Sequence, residues 1–120
     1  MSRLVRSLSY ALRGILFTIR NERNFQVEIV AGIFAVVLML FFPLSGSERA
    51  MIILSIALVL TLELANTALE RMMDILKPRV HPYARVIKDV MAGAVLLASF
   101  AAVAIGVALF FPYIAILVGR

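Results

Sequence analysis

From Ala50 to Met73 the chain is almost unbroken apolar side chain until its last turns. As a helix rising about 1.5 Å per residue, this run extends ~36 Å, more than the ~30 Å hydrocarbon core of a bilayer. Such a run is long for a strand or a buried core helix and suits a membrane span. Its final turns carry Glu63, Asn66 and Glu70, and Asp74 follows directly. At about 100° per residue these four fall within an arc of roughly 60–80°, a single polar stripe. An ionisable side chain at membrane depth costs roughly 2.5–3.5 kcal/mol on insertion scales. Two carboxylates and an amide there point to an ion-binding or catalytic stripe, with simple helix–helix glue as the bland alternative.

The remaining composition agrees with a bilayer as solvent. Of 120 residues, 63% are hydrophobic, more than the core of any single domain of this length could hide. The length allows one domain at most, residues 1–120. There is no cysteine, which excludes disulfides, thiolate chemistry and Cys-ligated metals, and the single His81 excludes a multi-histidine site. The net charge of +5 does not point to nucleic acid, because the basic residues flank apolar spans. There they report topology and contact with anionic headgroups. The first residues do not read as a cleavable signal: the basic residues are spread through them, with no h-region and no cleavage box.

Taken in order, residues 2–23 place Arg3, Arg6, Arg13, Arg20 and Arg23 on one helical face and Leu4, Leu8, Ala11, Leu12, Ile15 and Ile19 on the other. Phe17 is the misfit, an aromatic ring that breaks the pattern. The spacing predicts a basic amphipathic helix lying in the headgroup plane, with Tyr10 and Arg13-Gly14 on or beside its polar side. Asn21 to Phe25 forms a corner, and a first span follows over about 26–43, ended by Pro43. Leu44 to Arg49 is a tight turn, and the second span covers about 50–73. A proline-punctuated loop, Lys77 to Pro82, leads through a short helix from Tyr83 into a third span over about 90–118. Small residues at Ala92-Gly93-Ala94 and Ala98-Ser99 let helices approach closely there, and Pro112 is expected to end its regular part.

With a cytoplasmic N-terminus, ten basic residues fall inside: Arg3, Arg6, Arg13, Arg20, Arg23, Arg71, Lys77, Arg79, Arg85 and Lys88. Only Arg49 and Arg120 remain outside, so the positive-inside rule fixes this orientation. Glu22, Glu70, Asp74, Lys88 and Asp89 then gather at one membrane–cytosol boundary, with Glu28 and Glu63 slightly deeper. Carboxylates at Glu22 and Glu70 could hold Mg²⁺, which takes a couple of carboxylates beside substrate phosphates. Lys88 and the arginines could neutralise phosphate oxygens. Glu63 is placed to act as general base on a hydroxyl arriving from the lipid side. Phosphoryl transfer is largely positioning and charge neutralisation, so such a set would suffice without a Gly-rich P-loop; no Walker or protein-kinase motif is present. Simpler roles stand beside each of these. Lys88-Asp89 could be an interfacial snorkelling pair. Glu22 could cap the corner, and Glu28 could pair with Arg23 or a neighbouring subunit's arginine.

Glu63-Leu-Ala-Asn66-Thr-Ala-Leu-Glu70 followed by Lys88-Asp89-Val-Met-Ala-Gly-Ala-Val95 resembles the signature of the small prokaryotic diacylglycerol kinase/undecaprenol kinase family. Tyr10-Ala-Leu-Arg-Gly14 and Glu22-Arg-Asn-Phe-Gln-Val-Glu28 are similar to that family's amino-terminal pattern. The resemblance covers nearly the whole chain. It implies an all-α integral membrane protein with an N-terminal surface helix, three transmembrane helices and a homotrimeric bundle whose active sites are shared between subunits. The activity it implies is phosphorylation of a lipid alcohol by MgATP at the cytoplasmic face of the bacterial inner membrane.

Position by position, the resemblance implies Glu63 as general base with Asn66 beside it. Glu22 and Glu70 would be Mg²⁺ ligands that also meet ATP, with Arg3, Tyr10, Lys88 and Asp89 as further ATP contacts. Glu28 and Glu63 would line the lipid site. Arg79-Val80-His81 matches a nucleotide-side loop whose side chains differ from the family pattern. The Asn24-Phe25 corner resembles the undecaprenol branch, and the absence of Trp favours the same side. A small proton-coupled exporter using an intramembrane Glu is the alternative; such proteins usually have four spans, and the Lys88-Asp89 motif argues against it.

Overall fold

A computed structural model describes residues 2–77 and 81–119 of the chain. Pro78 of the proline-punctuated loop, Arg79 and Val80 of the expected nucleotide-side stretch and Arg120 of the topology reading lie outside the described residues. Among the described residues there are four helices and no strand: α1 (Arg3–Asn21), α2 (Arg23–Phe41), α3 (Gly46–Leu76) and α4 (Ala84–Leu117). The last three are long and apolar enough to cross a membrane. Large side chains such as Val30, Phe34, Leu54, Leu97 and Val103 are exposed along them, as befits surfaces that face lipid.

The corner between α1 and α2 is narrower than the sequence suggests. It is a single residue, Glu22, with extended backbone (φ −118°, ψ 113°). Its N–H donates to the Thr18 carbonyl and closes α1; its carbonyl accepts from the Gln26 N–H and opens α2. Amide side chains bond to carbonyls in α1's last turns. Asn21 Nδ2 donates to Phe17 O at 2.8 Å and Gln26 Nε2 donates to Ile19 O at 2.7 Å. Helix ends leave their last carbonyls unpaired unless something reaches them, and Gln26 meets one of these where the chain bends without a loop. The extents of 60 × 42 × 22 Å reflect that bend. A bundle of parallel helices about 10 Å thick would be narrower in its second dimension, so α1 must project sideways. Thr18 is its buried residue, packed into the corner.

At the opposite end α2 stops before Pro43, with the Phe42 N–H donating back to Leu38 O. Ser45 then caps α3 in a reciprocal box: its hydroxyl accepts from the Glu48 N–H at 3.2 Å, and its own N–H donates to Glu48 Oε1 at 2.9 Å. Arg49 reaches back across the turn to Phe42 O at 3.4 Å. Here lies the buried apolar cluster, Met39, Phe42, Leu44, Ile52 and Phe110, with Tyr113 packed against it. Gly32 lets α2 approach α3: a Cβ there would stand 3.1 Å from Ile56 Cγ2.

Two expectations about α4 need correction. No separate short helix precedes the span; one helix runs from Ala84 to Leu117. Nothing between Arg85 and Asp89 breaks it, because the charged side chains can reach out without bending the backbone. Pro112 also lies inside the helix instead of ending it. Five residues from the helix end, it costs one backbone hydrogen bond, and the last turns close by Val118 N–H donating to Ile114 O.

Candidate active site

The antiparallel pair α3 and α4 brings the two halves of the sequence signature to one end of the bundle. Glu70 lies six residues before the end of α3 and Lys88 four residues into α4, so each is within ~10 Å of its helix end along the axis. The α1–α2 corner comes to this same end. Arg71 Nη2 on α3 donates to Glu22 Oε1 at 3.0 Å. Glu22 is therefore fixed next to the residue that follows Glu70. It occupies the cap position of α2 but makes no side-chain cap bond, so its carboxylate is committed to α3 and not to its own helix.

Deeper in, Glu63 is 3% exposed and Thr67, one turn further along, 4%. The Glu63 carboxylate lies within electrostatic reach of Glu28, Glu70 and Glu22 and beside the Asn66 amide. Four carboxylates from the corner, α2 and α3 thus share one end of the bundle. Like charges that act on one another across an apolar surround repel, so the arrangement is costly unless a cation, a proton or a ligand enters it. Two polar atoms of this region are buried without a partner among the described residues, Glu28 Oε2 and Thr67 Oγ1. Glu28 makes no ion pair with Arg23; the ion pairs among the described residues are Glu22–Arg71, Asp74–Arg71 and Asp74–Lys77. Glu28 instead borders an apolar cavity of about 510 Å³ that runs between α2, α3 and α4 past Gly32, Ser55, Val59 and Ser99.

Not every expected residue is drawn in. Tyr10 is 64% exposed on α1, with the Arg13 guanidinium 5.6 Å over its ring. It stands twelve residues from Glu22, about 18 Å along the helix, and Arg3 lies further still, about 28 Å away. Lys88 is half-buried on α4 while Asp89 is exposed. His81 packs on Tyr83 with ring centroids 5.3 Å apart, and its Nδ1 accepts the Tyr83 N–H. Arg71 and Thr67 are the residues that sequence reasoning passed over. Arg71 figures there only as a topology charge. The signal that could have singled it out is Phe17, whose ring lies 5.3 Å from the Arg71 guanidinium carbon.

Glu22 and Glu70 supply hard oxygen donors of the kind Mg²⁺ accepts together with substrate phosphates. Among the described residues no group of three or more acidic, His or Cys side chains could hold a metal by itself. Glu22 and Glu70 would therefore hold such an ion only together with substrate phosphates or groups from outside the chain.

The fold and this site describe a multi-pass helical membrane protein with a buried acidic centre at one rim of its bundle. Over residues 9–110 the sequence matches the family described as prokaryotic diacylglycerol kinase, and the chain belongs to that family. It is similar to an undecaprenol kinase of Bacillus subtilis, 37% identical over 112 residues that cover 93% of this chain and 91% of the relative. It is also similar to a diacylglycerol kinase of Synechocystis, 36% identical over 91% of this chain and 63% of that protein, so the chain spans under two thirds of that relative. A diacylglycerol kinase of Escherichia coli K12 is 30% identical over 85% of this chain and 84% of its own length. The protein is accordingly a membrane lipid kinase, for which ATP is the phosphate donor, and the exporter alternative falls away. The matched stretch contains every expected site residue except Arg3.

Proposed function

We propose that this chain transfers the γ-phosphate of ATP to the hydroxyl of a membrane lipid at the cytoplasmic face of the bacterial inner membrane. Undecaprenol is the preferred acceptor and diacylglycerol the second. One observation carries the reading: Glu63 is 3% exposed where the apolar run of α3 gives way to its polar stripe, and Glu28, Glu70 and Glu22 lie within electrostatic reach of it. In this reading Glu63 takes the proton of the lipid hydroxyl, whose oxygen bonds to the γ-phosphorus as the bond to the β-phosphate oxygen breaks and ADP leaves. Asn66 orients the Glu63 carboxylate. Glu22 and Glu70 would hold Mg²⁺, which when bound offsets the charge of the phosphate oxygens.

Lys88, with Asp89 beside it, meets the nucleotide from α4. Arg3 and Tyr10 meet it from α1, which lies in the headgroup plane on the cytoplasmic side. Their distance from Glu22 along α1 supports an assembly in which neighbouring subunits share sites, the homotrimer of the family resemblance. Glu28 lines the lipid entrance, and the apolar cavity it borders supports a hydrocarbon chain held below the reacting hydroxyl.

The test is Glu63→Gln in purified, reconstituted protein. Lipid phosphorylation should fall by about 100-fold or more, the size of a lost general base, while nucleotide still binds. Undiminished phosphorylation would contradict the assignment.

A further inference from the structure

Phe17 breaks the amphipathic pattern of α1, and the folded chain gives it a partner. The Arg71 guanidinium lies over its ring, with 5.3 Å from Cζ to the centroid. The same guanidinium donates through Nη2 to Glu22 Oε1 at 3.0 Å and lies 3.9 Å from Asp74 Oδ2 through Nη1. Asp74 is in turn 3.4 Å from Lys77 Nζ. One side chain from α3 therefore touches α1, the corner residue and its own helix.

We propose that Arg71 is a positioning residue for the kinase reaction: stacked on Phe17, it fixes the Glu22 carboxylate beside Glu70. This rests on the reading above, in which Glu22 and Glu70 together meet the metal–nucleotide. Glu22 sits on an extended, one-residue corner without a cap bond of its own, so nothing else among its hydrogen bonds restrains its side chain. Arg71 occupies Oε1 and leaves Oε2 for a ligand. A guanidinium suits the task because it is planar: it can stack on a ring with one face and bond a carboxylate at its edge. The Arg71 and Glu22 side chains are 44% and 22% exposed, so their pairing adds little to stability. What it supplies is orientation.

Binding of a fluorescent ATP analogue with Mg²⁺, without lipid, is measured on the detergent-solubilised full chain, alongside kcat and KM for MgATP in lipid phosphorylation. Arg71→Gln should weaken analogue binding and raise KM by about 5-fold, with kcat within about 2-fold, the scale of a lost exposed charge pair. Phe17→Leu should give about a 3-fold effect in the same direction, and Phe17→Tyr, which keeps a ring face, should recover most of it. The double variant Phe17→Leu, Arg71→Gln should be no worse than Arg71→Gln alone, because both act through one contact. If Arg71→Gln does not fold, the Leu and Tyr variants at position 17 carry the test. Normal binding in Arg71→Gln, with Glu22→Gln impaired, overturns this inference and leaves the kinase reading intact; multiplying effects in the double variant do the same. Normal binding in Glu22→Gln overturns the role given to Glu22 and this inference with it.

Discussion

The two ends of the bundle are built on opposite terms. Where α2 turns into α3, the chain closes on itself: Phe42, Phe110, Ile52 and Met39 pack together, and Ser45 and Glu48 cap each other. The Phe42 ring lies 6.2 Å from that of Phe110 and 5.7 Å from that of Tyr113. Arg49 Nε is the buried donor left without a partner there among the described residues. At the corner end the balance reverses. Buried residues include Glu63, Thr67 and Thr18, and two buried oxygens, on Glu28 and Thr67, have no partner among the described residues. A protein that needed only to sit in a membrane would have no use for like charges gathered at depth, because each raises the cost of the others. One end is arranged to hold the fold, and the other to receive something.

That contrast can be broken by substitutions that should separate activity from stability. The largest effect is expected for Glu70→Ala. Its kcat/KM for lipid phosphorylation should fall by about 100-fold or more, the scale of removing one electrostatic group from a prepared site. Its thermal unfolding should hardly move, and a silent Glu70→Ala would mean the acidic end is structural. Phe42→Ala should do the reverse. Loss of a buried ring costs on the order of 3 kcal/mol, seen as a lower unfolding midpoint, while the protein that stays folded keeps its turnover. Should turnover collapse at temperatures where Phe42→Ala is still folded, the two ends are coupled. Ser45→Ala, which removes half of the capping box, is expected to cost about 1 kcal/mol of stability and no activity. The smallest shift in stability belongs to Thr67→Val. The hydroxyl has no partner among the described residues, so an apolar side chain of the same shape should leave the unfolding midpoint within ~0.5 kcal/mol or raise it. A clear loss of stability would reveal a partner for Thr67 across a subunit contact.

How much of this the sequence discloses also differs between the two ends. The three spans follow from apolar length alone, since nothing but a bilayer or a neighbouring helix can cover such runs. Pro43 and the Ser45–Glu48 spacing mark the turn through local chemistry that any helix start obeys. The α1–α2 corner is narrower in the fold than the pattern of polar residues implies. Asn21 reads as a breaker and Gln26 as the start of a span, and only the folded chain shows their amides bonding to carbonyls near the end of α1. Pro112 departs from expectation for a local reason: a proline near a helix end costs little and need not stop it.

Within the site, the stripe of Glu63, Asn66 and Glu70 was visible from helical periodicity, whereas its meeting with Glu22 depends on a contact 49 positions apart in sequence. Periodicity describes one helix at a time. The role of Phe17 was hidden for the same reason: its partner Arg71 lies on another helix.

The most direct measurement is transfer of labelled phosphate from ATP in vesicles that contain the purified chain and either undecaprenol or diacylglycerol. The account predicts label in the lipid fraction with both alcohols, faster with undecaprenol, and dependent on Mg²⁺. Label released only as inorganic phosphate, or no transfer to either lipid, would contradict it.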